Sequence, residues 1–209
     1  MTASAHAALV PVRRPVLADA VLPRAGAMSD VVLVLAGAAL VALLAQVTIP
    51  LPIVPITGQT LGVLVVGAAL GSRRGAAALT TYMLAGLAGL PVFAGFTGTI
   101  AAVATPSFGF ILGFIPAAFL AGWFAERTWD RRPWLAMVGF VAASIVPFLV
   151  GVPYMAYILN VVMGAGYDLG GIIAVGVTPF IAGGLVKAAI AAIVIPAAWR
   201  SVRALDSLR

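Results

Sequence analysis

The chain has 209 residues, of which 63% are hydrophobic and 9% are charged, and its mean hydropathy is +1.17. Soluble domains carry about 25% charged residues, so this composition excludes a soluble domain and predicts a chain that lies mostly in lipid. The formal net charge of +6 does not indicate nucleic-acid binding, because the basic residues form short clusters between apolar runs, as determinants of membrane topology do.

Residues 1–28 mix Ala, Pro, Arg and Val without periodicity and include the single histidine, His6. We expect a flexible cytoplasmic tail. A cleaved signal peptide is the alternative, because basic residues precede an apolar stretch. No clear small-x-small cleavage site follows Ala45, however, and loss of this segment would disturb the distribution of charge described below.

Six apolar runs follow the tail, and we interpret them as six membrane spans. The first begins after the helix-capping pair Ser29-Asp30. The fifth is interrupted by Pro147 and Pro153, and hydropathy leaves open whether the residues from 152 belong to it, re-enter the membrane or form an extra span. The runs cover residues 31–49, 57–71, 75–90 and 108–125, the stretch from 134, and residues 178–199.

The placement of charge supports this count. With six spans, all eleven arginines fall on one side of the membrane, and the positive-inside rule places that side in the cytoplasm. We therefore predict an all-α membrane protein, a six-transmembrane-helix bundle with both termini in the cytoplasm. Residues 29–199 form its membrane domain, and residues 200–209 form a basic cytoplasmic tail.

Residues 91–107 differ from the runs on either side, because they are apolar, rich in glycine and without charge. Irregular backbone at membrane depth is tolerated only where protein buries it or where it lines a cavity. We expect a short re-entrant or amphipathic segment on the outer side.

The only lysine, Lys187, lies nine residues inside the sixth run. An ammonium near the middle of a spanning helix costs at least ~2.5–3.5 kcal/mol, so it normally faces a partner, a cavity or a ligand. The alternative is that its four-carbon stem carries the charge to the membrane surface. That is easiest near a helix end, and we therefore favour a functional lysine.

Several functions are excluded by inspection. A P-loop needs Gly-Lys followed by Ser or Thr, whereas Lys187 follows Val186 and precedes Ala188. The runs contain no carboxylate or histidine to relay protons, and Ser144 has no base near it in sequence. Since the chain also lacks cysteine, we expect no catalytic residue, no metal site and no cofactor, and hence no enzyme.

These exclusions leave a helical bundle with an outer pocket. The polar groups available to the pocket are Thr57, Gln59, the Tyr154–Asn160 segment and Lys187, beside the glycine-rich segment and its aromatic residues. One cation together with amide and hydroxyl groups suits a small, mostly apolar ligand that has a carboxylate at one end and a hydrogen-bonding head at the other.

Four stretches, taken together, resemble the BioY family, the biotin-binding S components of energy-coupling-factor transporters. They occur in the family's order between about residues 34 and 199, which makes the resemblance specific. The stretches are VPITGQTLGV from Val54, GLAGLPVFAG from Gly86, PSFGFILGF from Pro106 and PFIAGGLVK from Pro179.

The resemblance implies a biotin pocket on the extracellular side of the cell membrane, and assembly with an energy-coupling transmembrane protein and two ATPase subunits. On this basis we expect Lys187 to bind the valerate carboxylate of biotin, and a loop that includes Phe93 and Gly95 to close over the thiophane ring. Ala38 and Ala42 of the first run match the position where S components dock the coupling subunit through small residues. Packing within the bundle is the alternative for this pair.

Two positions depart from the family's motifs. Gly184 stands where the family has an acid that accepts the ureido N–H groups of biotin, and Thr97 stands where many members have an arginine. Loss of one charge-assisted hydrogen bond costs about 1.5–3 kcal/mol, so other groups are expected to take over. The candidate replacements are Gln59 with Asn160 at the ureido head, Tyr157 and Asp168.

Three alternatives accompany this prediction. The ligand is another small carboxylated vitamin or a biotin precursor; or the chain is a solitary biotin carrier that works without ATPases; or it is a ligand-free membrane scaffold in which Lys187 reaches the surface. In each case membrane lipid surrounds the protein.

Overall fold

The computed structural model describes residues 16–22 and 26–206. Most of the predicted N-terminal tail, with His6, therefore lies outside the described residues. Within them the chain forms eight α-helices and two short strands. Their bounds are α1 Leu17–Val21, α2 Ala27–Ala45, β1 Thr48–Ile49, β2 Ile56–Thr57, α3 Gln59–Leu70, α4 Ser72–Leu87, α5 Phe108–Ala125, α6 Pro133–Tyr157, α7 Leu169–Gly176 and α8 Thr178–Asp206.

A helix covers each of the six apolar runs. In the described part of the chain, four helical stretches are long and apolar enough to cross a membrane: Ala27–Ala45, Phe108–Ala125, Pro133–Val162 and Leu169–Leu205. The helices of the second and third runs are shorter, with 12 residues in α3 and 16 in α4. The protein is thus a mainly helical membrane protein.

Small residues bring the backbones of α3, α4 and α5 into contact. A methyl group on Gly67 of α3 would lie 2.5 Å from the carbonyl oxygen of Ala118 in α5, and one on Gly75 of α4 would lie 2.9 Å from the Cα of Gly67. No side chain fits at such separations, so these glycines allow the close helix approach that membrane bundles use.

The small residues of α2 pack into the same core. Ala38 is buried, and Ala42 is half-buried against the buried residues around it. The neighbouring Gly37 faces α3 and α4, where an added methyl group would lie 2.9 Å from a methyl of Val66. Ala38 thus packs within the bundle, and Ala42 is the more accessible of the two.

Helix α6 continues through both of its prolines. Pro147 and Pro153 lie inside Pro133–Tyr157, and residues 158–162 extend the helix as one wide π turn. The fifth run and residues 152–162 therefore form one continuous helical stretch, and neither a re-entrant segment nor an extra span exists there. Freed carbonyls of a proline-containing helix are tolerated when neighbouring helices cover them; Pro147 packs directly on Gly113 of α5.

Residues 48–57 are an exception to the predicted helical architecture. Here β1 and β2 pair antiparallel, with Thr48 opposite Thr57 and Ile49 opposite Ile56. The intervening segment carries three prolines, which lack the N–H groups that a helix needs, so the chain pairs its backbone across a hairpin instead. The hairpin places Thr57 two residues before Gln59, the first residue of α3.

Residues 91–107, here called the cap segment, form two 3₁₀ turns at Ala94–Phe96 and Ile100–Ala104. The side chain of Gln46, the residue that follows α2, holds the first turn, since its Nε2 donates to the Phe93 carbonyl at 3.1 Å and its Oε1 accepts from the Phe96 N–H at 2.9 Å. The hydroxyl of Tyr154 in α6 donates to the Val103 carbonyl in the second turn.

The opposite end of the bundle, here called the basic end, is held by ionic contacts. The Arg74 guanidinium bonds Asp19 of α1 at 2.7 Å and Asp30 of α2 at 3.1 Å. The Glu126 carboxylate accepts hydrogen bonds from the N–H and the hydroxyl of Ser72. All arginines in the described residues lie at this end or in the helix that extends from it: Arg73, Arg74, Arg127, Arg131, Arg132, Arg200 and Arg203.

A buried carboxylate also lies at the basic end. Asp130, between α5 and α6, is only 2% exposed, and its Oδ2 accepts a hydrogen bond from the indole Nε1 of Trp199 in α8. The guanidinium of Arg131 stacks on the same indole ring, 4.3 Å from its centre. These contacts join the α5–α6 connection to the end of α8.

Candidate binding site

A cavity of about 390 Å³ lies beneath the cap segment, at the end of the bundle opposite the basic end. The hairpin, α3, α5, α6, α8 and the cap segment all contribute to its wall. Five phenylalanines make most of this wall apolar: Phe93, Phe110, Phe114, Phe148 and Phe180. Its volume is within the range of about 300–1,000 Å³ that small-molecule sites occupy.

Lys187 lines this cavity. Its Nζ donates to the carbonyl of Thr57 at 2.6 Å and to the hydroxyl of Thr60 at 3.0 Å. An ammonium has three N–H donors, so one remains available to a ligand. Both acceptors are neutral, and they solvate the charge without cancelling it.

Gln59 belongs to the same group of polar side chains. The Thr57 hydroxyl lies 2.8 Å from the Gln59 Oε1, and the Gln59 Nε2 lies 2.5 Å from the hydroxyl of Tyr82 in α4. We call Thr57, Gln59, Thr60 and Lys187 the lysine cluster. Its members come from three elements that the hairpin and the close helix packing bring together.

The lysine cluster is electropositive. Two of its members, Gln59 and Thr60, form the first turn of α3, where the partial positive charge of the helix dipole is concentrated. Among the residues that the structure describes, no Asp or Glu lines the cavity. A positive, largely dehydrated site without a counter-ion favours an anion such as a carboxylate.

A second set of polar groups lies in the cap segment. The hydroxyl of Thr97 donates to the Ala94 carbonyl at 3.0 Å, and that of Thr105 donates to the Ala102 carbonyl at 2.7 Å. Ser107 lies 3.2 Å from the Thr105 hydroxyl. The cavity thus has hydroxyl groups on the cap segment, a cation in the lysine cluster, and aromatic rings as the rest of its lining.

The structure brings six of the nine predicted ligand-binding residues into the cavity wall: Thr57, Gln59, Phe93, Thr97, Gly184 and Lys187. The other three lie elsewhere. Gly95 has a positive φ of 70° in the cap segment and faces open space, and Tyr157 is 57% exposed on the outer surface of α6.

Asn160 is occupied by a local contact. Its side-chain Nδ2 donates to the Tyr167 carbonyl at 2.9 Å, and its Oδ1 accepts from the Tyr167 N–H at 2.7 Å. Asp168, another candidate replacement, caps α7 through the N–H of Gly171. Of the replacements expected at the ureido head, only Gln59 lines the cavity.

Gly184 leaves free space in the cavity wall. A methyl group built on it would meet no atom within 4 Å. The absence of an acid at this position therefore removes a hydrogen-bonding group from the wall without letting the surrounding residues close in.

Sequence reasoning missed three residues that shape this site, Gln46, Thr60 and Tyr82, and it did not predict the contact of Tyr154 with the cap segment. Two of them carried a usable signal. Thr60 lies three residues after Thr57 at the start of a helix, and Tyr82 is a polar side chain within an apolar run. The contacts of Gln46 and Tyr154 with the cap segment depend on tertiary structure alone.

The family model described as "BioY family" matches residues 15–204. The chain is 37% identical over 147 residues to a protein named biotin transporter BioY from Rhizobium etli, covering 67% of this chain and 75% of that protein. It is 35% identical over 156 residues to the biotin transporter BioY of Thermotoga maritima, covering 75% and 87%.

A solved structure shows the same fold. It is the 2.1 Å crystal structure of the S-component for biotin from an ECF-type ABC transporter. The match has a TM-score of 0.61 and covers 83% of this chain and 92% of that one, with 21% sequence identity.

Proposed function

Because the chain belongs to the BioY family, as its four motifs predicted, we propose that it is the substrate-binding subunit of a biotin uptake transporter. The observation that carries the proposal is the geometry of Lys187. Its ammonium lies against a mostly apolar cavity and bonds only neutral groups in the described residues. Biotin supplies what such a cavity lacks, a carboxylate on an apolar body.

The lining groups suggest how biotin lies in the cavity. The valerate carboxylate meets the lysine cluster, because that cluster holds the cation and the first turn of α3. The thiophane ring packs among the phenylalanines. The ureido head then meets the hydroxyl groups of the cap segment, since Asn160 is held by Tyr167 and Gln59 lies beside Lys187.

The test is a thermal-shift titration of the detergent-purified protein with biotin, with desthiobiotin, and with biotinol, which has a hydroxymethyl group in place of the carboxylate. A ligand that binds only the folded state raises the melting temperature as its concentration rises. We expect biotin to do so and biotinol to fail. The absence of any shift with biotin or desthiobiotin at millimolar concentration would contradict the proposal.

A biotin precursor or another small carboxylated vitamin is the second candidate ligand. The free space beside Gly184 and the neutral side chain of Thr97 favour it, since both positions lack the charged groups that the family's motifs carry there. Stabilisation by desthiobiotin that exceeds stabilisation by biotin would select this candidate. The ligand-free scaffold is disfavoured, because Lys187 points into a cavity.

We also propose that uptake is driven by an energy-coupling transmembrane protein with two ATPase subunits. The chain has one lysine, and it is not in a P-loop, so ATP hydrolysis requires partners. Co-purification of the tagged chain from its own cells, with identification of the partners by mass spectrometry, tests this. Recovery of the chain alone, with transport intact, would instead indicate a solitary carrier.

A further inference from the structure

Tyr82 contacts the lysine cluster from behind. It is 1% exposed, it does not line the cavity, and its ring packs edge-on against Phe93 at 5.5 Å. Within the described part of the chain, its hydroxyl bonds only to the side-chain amide of Gln59. A buried hydroxyl proton without an acceptor is costly, so the direction of this bond matters.

The amide of Gln59 can take two orientations that exchange its oxygen and nitrogen. With nitrogen towards Tyr82, the Thr57 hydroxyl donates to Gln59, and the Tyr82 proton has no acceptor among the described residues. With oxygen towards Tyr82, the tyrosine donates to Gln59, and Gln59 donates to Thr57. The separation of 2.5 Å fits O–H···O bonds, which range from about 2.5 to 3.0 Å, better than N–H···O bonds.

We infer that Tyr82 is a positioning residue that selects the second orientation whenever ligand is bound, and this inference rests on the proposed function. The hydroxyl oxygen of Thr57 then accepts from the amide of Gln59, and its proton is directed to the ligand. Gln59 keeps a second N–H, and Lys187 keeps a third. Apart from one remaining lone pair on the Thr60 hydroxyl, the lysine cluster therefore offers only donors, and it favours a ligand terminus that consists only of acceptors.

Because the lysine cluster presents mainly donors, it can distinguish between ligands that carry the same charge. A carboxylate has two acceptor oxygens and no donor, whereas a primary amide brings two N–H groups, of which the cluster can accept at most one, through the Thr60 hydroxyl. Biotin methyl ester and biotin primary amide are both neutral, so the loss of the ionic contact with Lys187 should weaken their binding to a similar degree. The cluster's hydrogen bonds distinguish the amide from the methyl ester, which has acceptors only.

The experiment compares dissociation constants of biotin methyl ester and biotin primary amide for the wild-type protein and for Tyr82→Phe, by titration in detergent. We expect the wild type to bind the ester about five- to 150-fold better than the amide, as one unpaired hydrogen-bonding group implies. In Tyr82→Phe the amide of Gln59 is free to turn and accept from the ligand, so the preference should fall to about one.

Tyr154→Phe is the matched control, because it also removes one tyrosine hydroxyl, but from the bond that holds the cap segment. It should weaken both ligands equally and leave their ratio unchanged. A second variant, Gln59→Glu, places a group with no donor in the cluster, and it should weaken the ester more than the amide.

Two results would overturn the inference while leaving the proposed function intact. One is a wild-type protein that binds biotin but shows no preference between ester and amide. The other is a Tyr82→Phe variant that keeps the full preference. If the wild type does not bind biotin at all, the proposed function itself fails.

Discussion

Lys187 is held by neutral groups where a buried lysine is usually paired with a carboxylate. The Thr57 carbonyl and the Thr60 hydroxyl lower the cost of the ammonium in the bundle without removing its charge. An ion pair inside the protein would have neutralised the ammonium and made the site less responsive to an anion. Because both of its partners are neutral, the Lys187 ammonium keeps the positive charge that the ligand carboxylate neutralises.

Lys187→Met should therefore separate binding from folding. We expect the empty variant to be as stable as the wild type or more stable, because a costly charge is removed. Its affinity for biotin should fall roughly ten- to 150-fold, the equivalent of one charge-assisted hydrogen bond. Melting temperatures with and without biotin measure both effects. Lys187→Arg, which retains the charge, should keep part of the affinity; equal affinity in all three proteins would exclude Lys187 from the site.

Asp130 should make stability depend on pH. Burial raises the pKa of this carboxyl from 3.8 to about 6, against the smaller opposing effects of the Trp199 hydrogen bond and the Arg131 charge. The folded state therefore binds the proton more tightly than the unfolded chain does. The resulting stability is fully present below about pH 4, and it is lost as the pH rises through 6, by about 3 kcal/mol.

Melting temperatures measured in detergent between pH 4 and pH 7.5 test this expectation. Asp130→Asn should abolish the part of the pH dependence that falls between pH 4 and pH 6. Asp168→Asn is the control, because it also removes one carboxylate, and asparagine caps a helix as well as aspartate does. Identical pH profiles for the wild type and the Asp130 variant would contradict the assignment.

At the scale of elements, the cap segment is fixed by one anchor at each of its two turns. Gln46 holds the first turn from the end of α2, and Tyr154 holds the second from α6. Apart from these contacts the cap is short and irregular, so its opening free energy should be low compared with that of the helices. The anchors are therefore expected to govern access to the cavity.

Gln46→Ala should loosen the cap without touching the lysine cluster. We expect faster amide hydrogen exchange in residues 93–97 and an affinity for biotin lowered about five- to tenfold, mainly through faster dissociation. Hydrogen exchange with mass spectrometry and a stopped-flow release measurement test the two effects. Gln46→Glu keeps the acceptor for the Phe96 N–H and should fall between the wild type and alanine. Unchanged exchange in the cap would show that Gln46 is not an anchor.

The helices could be predicted from sequence because burial in lipid requires long apolar runs, and composition records them directly. The hairpin and the continuity of α6 could not. Proline removes a backbone donor in both places, but only tertiary packing decides the outcome: Pro147 lies against Gly113 within a covered helix, whereas Pro50 and Pro52 of the hairpin are exposed. The same limit explains Asn160, whose pairing with Tyr167 is a local loop contact.

At the scale of the whole molecule, positive charge and the cavity lie at opposite ends of the bundle. The described arginines gather at the basic end, and Lys187 is the cation of the cavity. We propose from this distribution that all six helices cross the membrane, with the basic end and both termini in the cytoplasm and the cavity open to the outside. Helix α3 has only 12 residues. In this arrangement the hairpin that precedes it and the cavity beside it occupy the rest of the membrane thickness.

Cysteine labelling can test this orientation, since the natural chain has no cysteine. A single cysteine at Phe96 in the exposed cap segment should react with a membrane-impermeant maleimide in intact cells. A cysteine at Arg73 should react only after the membrane is permeabilised. The reverse pattern would invert the topology, and labelling of both in intact cells would contradict a six-span arrangement.

The depth of Lys187 has an electrical consequence. The lysine follows the start of α8 by nine residues, or about 13 Å at 1.5 Å per residue, whereas the hydrocarbon core is about 30 Å thick. In the proposed orientation, a ligand anion that enters from outside crosses somewhat less than half of the membrane voltage before it is bound. An elementary charge that crosses all of it at 100 mV, inside negative, requires about 2.3 kcal/mol. The membrane potential of a living cell therefore opposes binding by about 1 kcal/mol, and affinity should be roughly fivefold weaker in energised cells than in detergent.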